Sequence, residues 1–291
     1  MRLVNAVEYL ALPRPDAKWL IERTVPCPGI VTLVGAPKSG KTWIALELAY
    51  RVARGEHWAG RPASKSRVLY LNLDAPEVQW RERLRALGDQ AEGQVLMVHP
   101  DDNRRINVLD PSGFGWYSTA IETADPALVV VDVLREVHVE QENDSGSMKQ
   151  VLDSLARGAE GRAVLLVHHT RKLREDDTSQ AIDLARGSSY LAGRVDAYWI
   201  LRGAKLTLIS RFDEERKLEV RRSPDGRLTV EPSSRSNDEP DAGIKVRLAS
   251  LCREYPNEPH VRLCDVAFER WGISRATAYR VWRTALCVHA S

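Results

Sequence analysis

The stretch Gly29–Tyr50, GIVTLVGAPKSGKTWIALELAY, decides how the rest of the chain is read. A β-rich apolar run, Ile30 to Val34, enters a turn of glycine, proline and serine and leaves as a helix with apolar residues at Trp43, Ile44, Leu46 and Leu48. Gly35, Gly40, Lys41 and Thr42 stand at the G-x-x-x-x-G-K-[ST] spacing of a phosphate-binding loop. Its glycines let successive backbone N–H groups turn inward, and the helix that follows presents the positive end of its dipole to an anion. The loop Gly35, Ala36, Pro37, Lys38, Ser39, Gly40, Lys41 and Thr42 is therefore expected to cradle a nucleotide, with Lys41 on the β- and γ-phosphates and the Thr42 hydroxyl on Mg²⁺.

Working outward, the same strand-then-helix rhythm repeats. Arg67 to Asp74 reads as a strand ending on an acid, followed by a helix from Ala75 to Leu87 that stops at Gly88. Val95 to Pro100 is a short strand and Asp101 to Phe114 a polar loop. Leu128-Val129-Val130-Val131-Asp132 is wholly apolar up to its terminal carboxylate, the signature of a strand buried on both faces of a parallel sheet. Residues Met148 to Arg157 are helical, and Ala163 to Thr170 is a further core strand ending in His168 and His169. The later strands, Tyr198–Leu201, Leu206–Ser210, Leu218–Val220 and Leu228–Val230, are spaced as hairpins, with Pro224-Asp225-Gly226 as a turn. Alternating strands and helices imply an α/β core with a mainly parallel sheet; the late hairpins imply an antiparallel extension at one edge.

The 291 residues and 43% apolar content are enough for one large domain and a small appendage. Four segments are expected: a lead-in over residues 1–29, a nucleotide-binding domain over 30–231, a linker over 232–243 and a small helical domain over 244–291. The formal net charge of +2 conceals an uneven distribution. From Ile244 to Ser291 there are eight basic and four acidic residues, net +4, whereas Pro232–Gly243 carries one arginine and three acids, net −2. Cys27, Cys252, Cys264 and Cys287 form no C-x-x-C pair and no standard zinc spacing, so reduced thiols are expected. No secretory leader and no apolar run of membrane-spanning length is evident, which points to a cytoplasmic protein without a membrane partner.

A phosphate-binding loop hydrolyses a nucleotide only with a metal-holding acid and a group that orients the attacking water. Asp132, at the end of an apolar central strand, suits the first task. Asp74, at the end of a neighbouring strand, suits the second, with Glu77 one helical turn further on as the alternative. His169 is placed to sense the γ-phosphate, and Arg186 and Arg211 are candidates to reach a phosphate across a subunit boundary.

The run Trp19-Leu20-Ile21, the phosphate-binding loop, Val68 to Leu84, Leu128 to Leu152, His168 to Lys172 and Arg186-Gly187-Ser188-Ser189 together resemble the RecA-like ATPases of the RepA type, hexameric helicases of plasmids, phages and prophages. Asp132 to His138, then Glu142-Asn143-Asp144, a helix and the paired histidines carry most of that resemblance, which covers Trp19 to Val230. It implies ATP and Mg²⁺ as cofactors and Asp132 as the second Mg²⁺ ligand. It further implies His169 as the coupling residue, Arg186 and Arg211 as arginine fingers, and a homo-oligomer, a hexamer in particular. One departure stands out: the family carries glutamate where Asp74 stands, and aspartate is one methylene shorter.

The C-terminal segment resembles a helix-turn-helix, with helices over Ile244–Tyr255, Val261–Trp271 and Ile273–Arg283. Ser274, Arg275, Thr277, Tyr279 and Arg280 would contact DNA, and in the main domain Lys172 and Arg174 would line a channel for a single strand. The alternative for this tail is a helical docking domain with solvated arginines. The reading that follows is an ATP-dependent replicative helicase of a mobile element acting on single-stranded DNA. The alternatives are a nucleotide-switched adaptor, such as a helicase loader or recombination mediator, and a KaiC-like signalling ATPase with no DNA affinity. Truncation after Gly243 is expected to weaken duplex DNA binding and its salt dependence while leaving ATP turnover intact, measured by binding isotherms across salt concentrations.

Overall fold

In the computed structural model of the chain, residues 4–6, 8, 18–88, 94–98, 106–140, 144–169, 194–224, 227–232, 247–248, 250–252, 254–255, 258, 260–271, 273, 275 and 278 are described. The chain divides into two compact units, Met1–Pro232 and Ser233–Ser291. In the first, β1 (Trp19–Ile21) and β2 (Val25–Pro26) pair as a small antiparallel ribbon, followed by β3 (Gly29–Gly35), α1 (Lys41–Arg54), β4 (Val68–Asn72), α2 (Glu77–Leu87) and β5 (Val95–Val98). Then come α3 (Pro111–Ala124), β6 (Leu128–Asp132), a 3₁₀ turn (Leu134–Val137), α4 (Ser145–Gly158), β7 (Ala163–His169), β8 (Ala197–Arg202), β9 (Lys205–Ser210), β10 (Arg216–Arg222) and β11 (Leu228–Pro232).

Nine strands form one sheet in the order β11-β10-β9-β8-β3-β7-β6-β4-β5. From β8 to β5 every pairing is parallel; β8–β9, β9–β10 and β10–β11 are antiparallel. The fold is thus the expected α/β class, with the phosphate-loop strand β3 between β7 and β8. Alternation along each central strand feeds two cores. Val31, Leu33, Leu165 and Val167 point to the face covered by α1, whereas Val34, Val164 and Leu166 point to the face covered by α3 and α4.

Local boundaries differ from expectation where capping decides them. The expected loop over Asp101–Phe114 gives way to α3 from Pro111, because proline suits the first helical turn, where its missing N–H is not needed. Gly113 and Gly115 weaken the helical pattern there, and a Cβ on Gly113 would fall 2.1 Å from the Asn107 carbonyl oxygen. Helix α4 starts at Ser145, three residues before the expected Met148, because the Asp144 carboxylate accepts the N–H groups of Gly146 and Ser147. The expected turn at Asp225-Gly226 lies outside the described residues.

Beyond α1, Trp58 is fully buried in the loop toward β4, stacks on Trp199 of β8 at 5.0 Å and donates its indole N–H to Glu47. Burial pushes the Glu47 carboxyl up to about 7, opposed by Arg51, Trp58 and Arg54. This contact ties the phosphate-loop helix to the sheet. In the second unit, Leu248, Leu251, Leu263, Cys264, Ala267, Ile273 and Ala278 make a separate small core around α5 (His260–Trp271). Among the described residues no helix is long and apolar enough to cross a membrane. Trp58→Ala is expected to cost about 3–5 kcal/mol of stability, since it opens a cavity and strands a buried carboxyl; the shift in a urea unfolding midpoint measures it.

Candidate nucleotide site

The C-terminal ends of β3, β7, β6 and β4 lie side by side, so that Gly35 is level with His169, and Asp132 with Val167 on one side and Asn72 on the other. The topology thus gathers residues far apart in sequence at one sheet edge.

At Gly35 a Cβ would fall 2.8 Å from the Leu201 carbonyl oxygen of β8, so the loop must begin on a glycine. Gly40 has φ +103°, and a Cβ there would meet the Leu228 side chain of β11 at 2.3 Å. Lys41, directly after Gly40, donates from Nζ back to the carbonyl oxygens of Gly35 at 2.9 Å and Ala36 at 2.8 Å. Its amine is buried, and burial lowers its pKa to about 8 although the Asp132 and Asp74 carboxylates pull the other way.

Asp132 is buried, and its Oδ2 accepts a hydrogen bond from the Tyr70 hydroxyl at 2.7 Å. Burial raises the Asp132 carboxyl, partly opposed by Tyr70 and the Thr42 hydroxyl. Its Oδ1 has no hydrogen-bond partner among the described residues, an arrangement costly in isolation and satisfied by a cation. No group of three or more His, Cys, Asp and Glu side chains among the described residues forms a metal cage. A hard divalent ion held by one carboxylate, one hydroxyl and phosphate oxygens needs no such cage, so the residues present fit Mg²⁺ on Asp132 and Thr42.

Across the cleft, Asp74 Oδ2 lies 3.9 Å from His169 Nε2, at ion-pair rather than hydrogen-bond distance. The His169 imidazole holds the Asp74 carboxyl below its usual range, with burial opposing and Arg83 and Lys41 assisting. Glu77 instead lies exposed on the first turn of α2 and accepts from Arg81 Nε at 2.7 Å. Of the two candidate water-orienting acids, Asp74 is the one beside His169. Burial lowers His168 to about 4, with His169 and Lys41 adding to the effect, so it is a neutral side chain at neutral pH.

Three residues that the sequence did not single out shape the site. Tyr70 anchors Asp132. Asn72 accepts from Ala75 N at 3.2 Å and donates to Ala75 O at 3.0 Å, closing the turn that carries Asp74. Arg83 on α2 donates to Gln79 and adds a positive charge felt by both Asp74 and Asp132. Tyr70 and Asn72 were hidden in a strand that reads as core; their alternation on one strand face was the available signal.

Arg211 stands apart. Its backbone N–H donates to Asp196 O, and Asp196 N donates to Ile30 O, so it sits at the entry end of β3, about 17–20 Å along the strand from Gly35. Arg186, Lys172 and Arg174 lie outside the described residues, as do Ser274, Thr277, Tyr279 and Arg280. Arg275 pairs with Asp265 within the C-terminal unit.

A phosphate-binding loop on the central strand of this sheet, facing a buried acid on the next strand but one, defines a RecA-like P-loop ATPase fold. The chain belongs to the AAA domain family, whose profile matches residues 2–175. Among solved structures, the ATPase domain of G40P is similar at 16% identity, covering 69% of this chain and 84% of that one, with a TM-score of 0.50. A KaiC-like protein from the hyperthermophilic archaeon Pyrococcus horikoshii OT3 is 18% identical over 72% of this chain and 93% of its own, with a TM-score of 0.48. At 16% identity the likeness to the G40P domain is one of fold.

Because nucleotide phosphates favour the charged amine, Lys41 is expected to take up a proton on binding once the free protein begins to lose it near its pKa of about 8. Nucleotide affinity should therefore fall as pH rises above about 8, by up to about tenfold per unit. Calorimetry in buffers of different ionisation enthalpy would show the uptake, and Lys41→Arg should abolish it.

Proposed function

We propose that this protein is an ATP-driven DNA motor, a RepA-like replicative helicase of a mobile element that acts on single-stranded DNA as a homo-oligomer, most simply a hexamer. The observation that carries the proposal is the division of the residues between two sheet edges. Lys41, Thr42, Asp132, Asp74 and His169 converge at one edge, while Arg211 stands at the other, beyond the reach of its own site. An arginine so placed can serve a phosphate only in a neighbouring copy, which couples hydrolysis to assembly. The similar G40P structure is described as an ATPase domain, which agrees with the fold and with hydrolysis here.

In this reading the loop N–H groups and Lys41 bind the phosphates, and Thr42 and Asp132 hold Mg²⁺. When bound, the metal would neutralise charge on the phosphates. Asp74 orients the attacking water and accepts its proton at a carboxylate oxygen. His169, in register with Gly35, connects the γ-phosphate position to the segment after β7, where Lys172 and Arg174 are proposed to meet DNA. The C-terminal unit is proposed to bind duplex DNA through Ser274, Arg275, Thr277, Tyr279 and Arg280.

One observation favours the second reading, a nucleotide-switched loader or recombination mediator. Asp74 is exposed and one methylene short of a glutamate, which suits binding with slow turnover. ATP-dependent displacement of a strand from a forked duplex separates the two readings: unwinding supports the motor, and DNA binding without unwinding supports the adaptor. Lys41→Ala should abolish turnover and Arg211→Ala should lower it by about a thousandfold, with nucleotide affinity retained in the latter. Mixing the two variants should restore part of the activity, since some mixed sites hold both an intact loop and an intact arginine. In confirmed mixed assemblies, no recovery at any ratio would remove Arg211 from the neighbour's site.

A further inference from the structure

Helix α2 packs on Tyr70 of β4. Trp80 is buried with its ring 5.0 Å from that of Tyr70, and Arg83 and Leu84 follow one turn later on the same face. Arg81 lies on another face, where it is bonded to Glu77. Arg83 is held differently. Its Nη2 donates to Gln79 Oε1 at 3.0 Å, one turn back, while its Nη1 is buried and has no hydrogen-bond partner among the described residues. Its charge is felt at Asp74, Asp132 and the Tyr70 hydroxyl, so the guanidinium stands at the cleft, out of direct hydrogen-bond reach of either carboxylate.

A buried guanidinium N–H left unbonded costs free energy, and a carboxylate within range of its charge but out of contact is bridged most simply by a water. Such a water needs polar partners on both sides, and Arg83 Nη1 and the Asp74 carboxylate supply them. Asp132 is the poorer partner, because Tyr70 already donates to its Oδ2 and its Oδ1 suits the cation. The bridge also answers the departure at position 74. Aspartate falls short of glutamate by about 1.5 Å, one carbon–carbon bond. A water hydrogen-bonded to the acid adds about 2.8 Å of reach, which more than makes up the loss.

We infer that Arg83 is a positioning residue for hydrolysis: it holds a water against Asp74, and through that water the shortened acid reaches the attacking one. This role rests on the reading above that Asp74 orients the attacking water. The bridging water accepts from Arg83 Nη1 and from the attacking water, and donates to an Asp74 oxygen. On attack, the oxygen of the attacking water bonds to the γ-phosphorus with its own electron pair. The bond from that phosphorus to the β–γ bridging oxygen breaks, and its pair leaves with ADP. The attacking water's proton passes to the bridging water, which passes one of its own to the Asp74 carboxylate; Arg83 keeps all of its protons. Glutamate at position 74 would need no bridge.

A double-mutant cycle on the intact chain tests this, with ATP turnover and ATP affinity measured side by side. Arg83→Gln is expected to lower kcat about a hundredfold while affinity for ATP stays within about twofold of wild type. In the Asp74→Glu background, which should turn over at least as fast as wild type, the same change should cost less than about threefold. Where Arg83→Gln fails to bind nucleotide, Arg83→Lys, which keeps the charge and loses the planar fork, is read in its place. An equal loss in both backgrounds, which would put Arg83 in the service of Asp132 or of the fold, overturns the inference. An Asp74→Glu chain slower than wild type, or wild-type kcat in Arg83→Gln, overturns it as well. Asp74→Asn separates it from the reading beneath: unimpaired turnover there removes Asp74 itself, whereas a large loss there beside a normal Arg83→Gln removes the bridge alone.

Discussion

Two opposite charges, Lys41 and Asp132, are held almost out of water at the ends of neighbouring elements, and the rest of the site depends on how they are kept there. Burial pushes both toward their neutral forms, the amine down and the carboxyl up. The protein answers with directed dipoles: two loop carbonyls for the amine, the Tyr70 hydroxyl for the carboxylate. One carboxylate oxygen is left over. A phosphate chain with its metal would satisfy that oxygen and the lysine together, so the charges of the site are matched to such a ligand.

That arrangement requires strands whose ends are level. Parallel pairing sets Gly35 beside His169 and Asn72 beside Asp132, and the fully apolar strands β6 and β7 suit burial on both faces. The antiparallel strands then serve a different purpose. Strand β9 reverses the direction of β8 and delivers Arg211 and Phe212 to the far edge, and the β10–β11 hairpin brings Leu228 onto Gly40 at the start of α1. The Trp58–Glu47 contact and the Trp58–Trp199 stack lock α1 to the same sheet. Loop, helix and hairpin are therefore one packed body in which the phosphate site is preorganised.

The polarity of the sheet bears on function. The nucleotide edge and Arg211 lie at opposite strand ends of one domain. In the proposed motor this polarity makes each hydrolysis event the joint act of two copies. Asp74, on a turn closed by Asn72, holds its carboxylate near His169 and more exposed to water than Asp132.

The sequence by itself determined the phosphate-binding loop, the strand-ending acids Asp74 and Asp132, the paired histidines and the α/β class, because glycine spacing, apolar runs and strand-terminal carboxylates are local patterns with local physical causes. It did not reveal the start of α3, where two glycines masked a helix begun by proline, nor the roles of Tyr70, Asn72 and Arg83. It also left Asp74 and Glu77 as alternatives. Tertiary structure decided the helix start and these contacts and set Asp74 rather than Glu77 beside His169, because a hydroxyl from β4 meets a carboxylate on β6 only once the order β3-β7-β6-β4 is set, and that order is the outcome of long-range packing. The distance of Arg211 from its own loop has the same origin: strand direction is a property of pairing, and no residue encodes it alone.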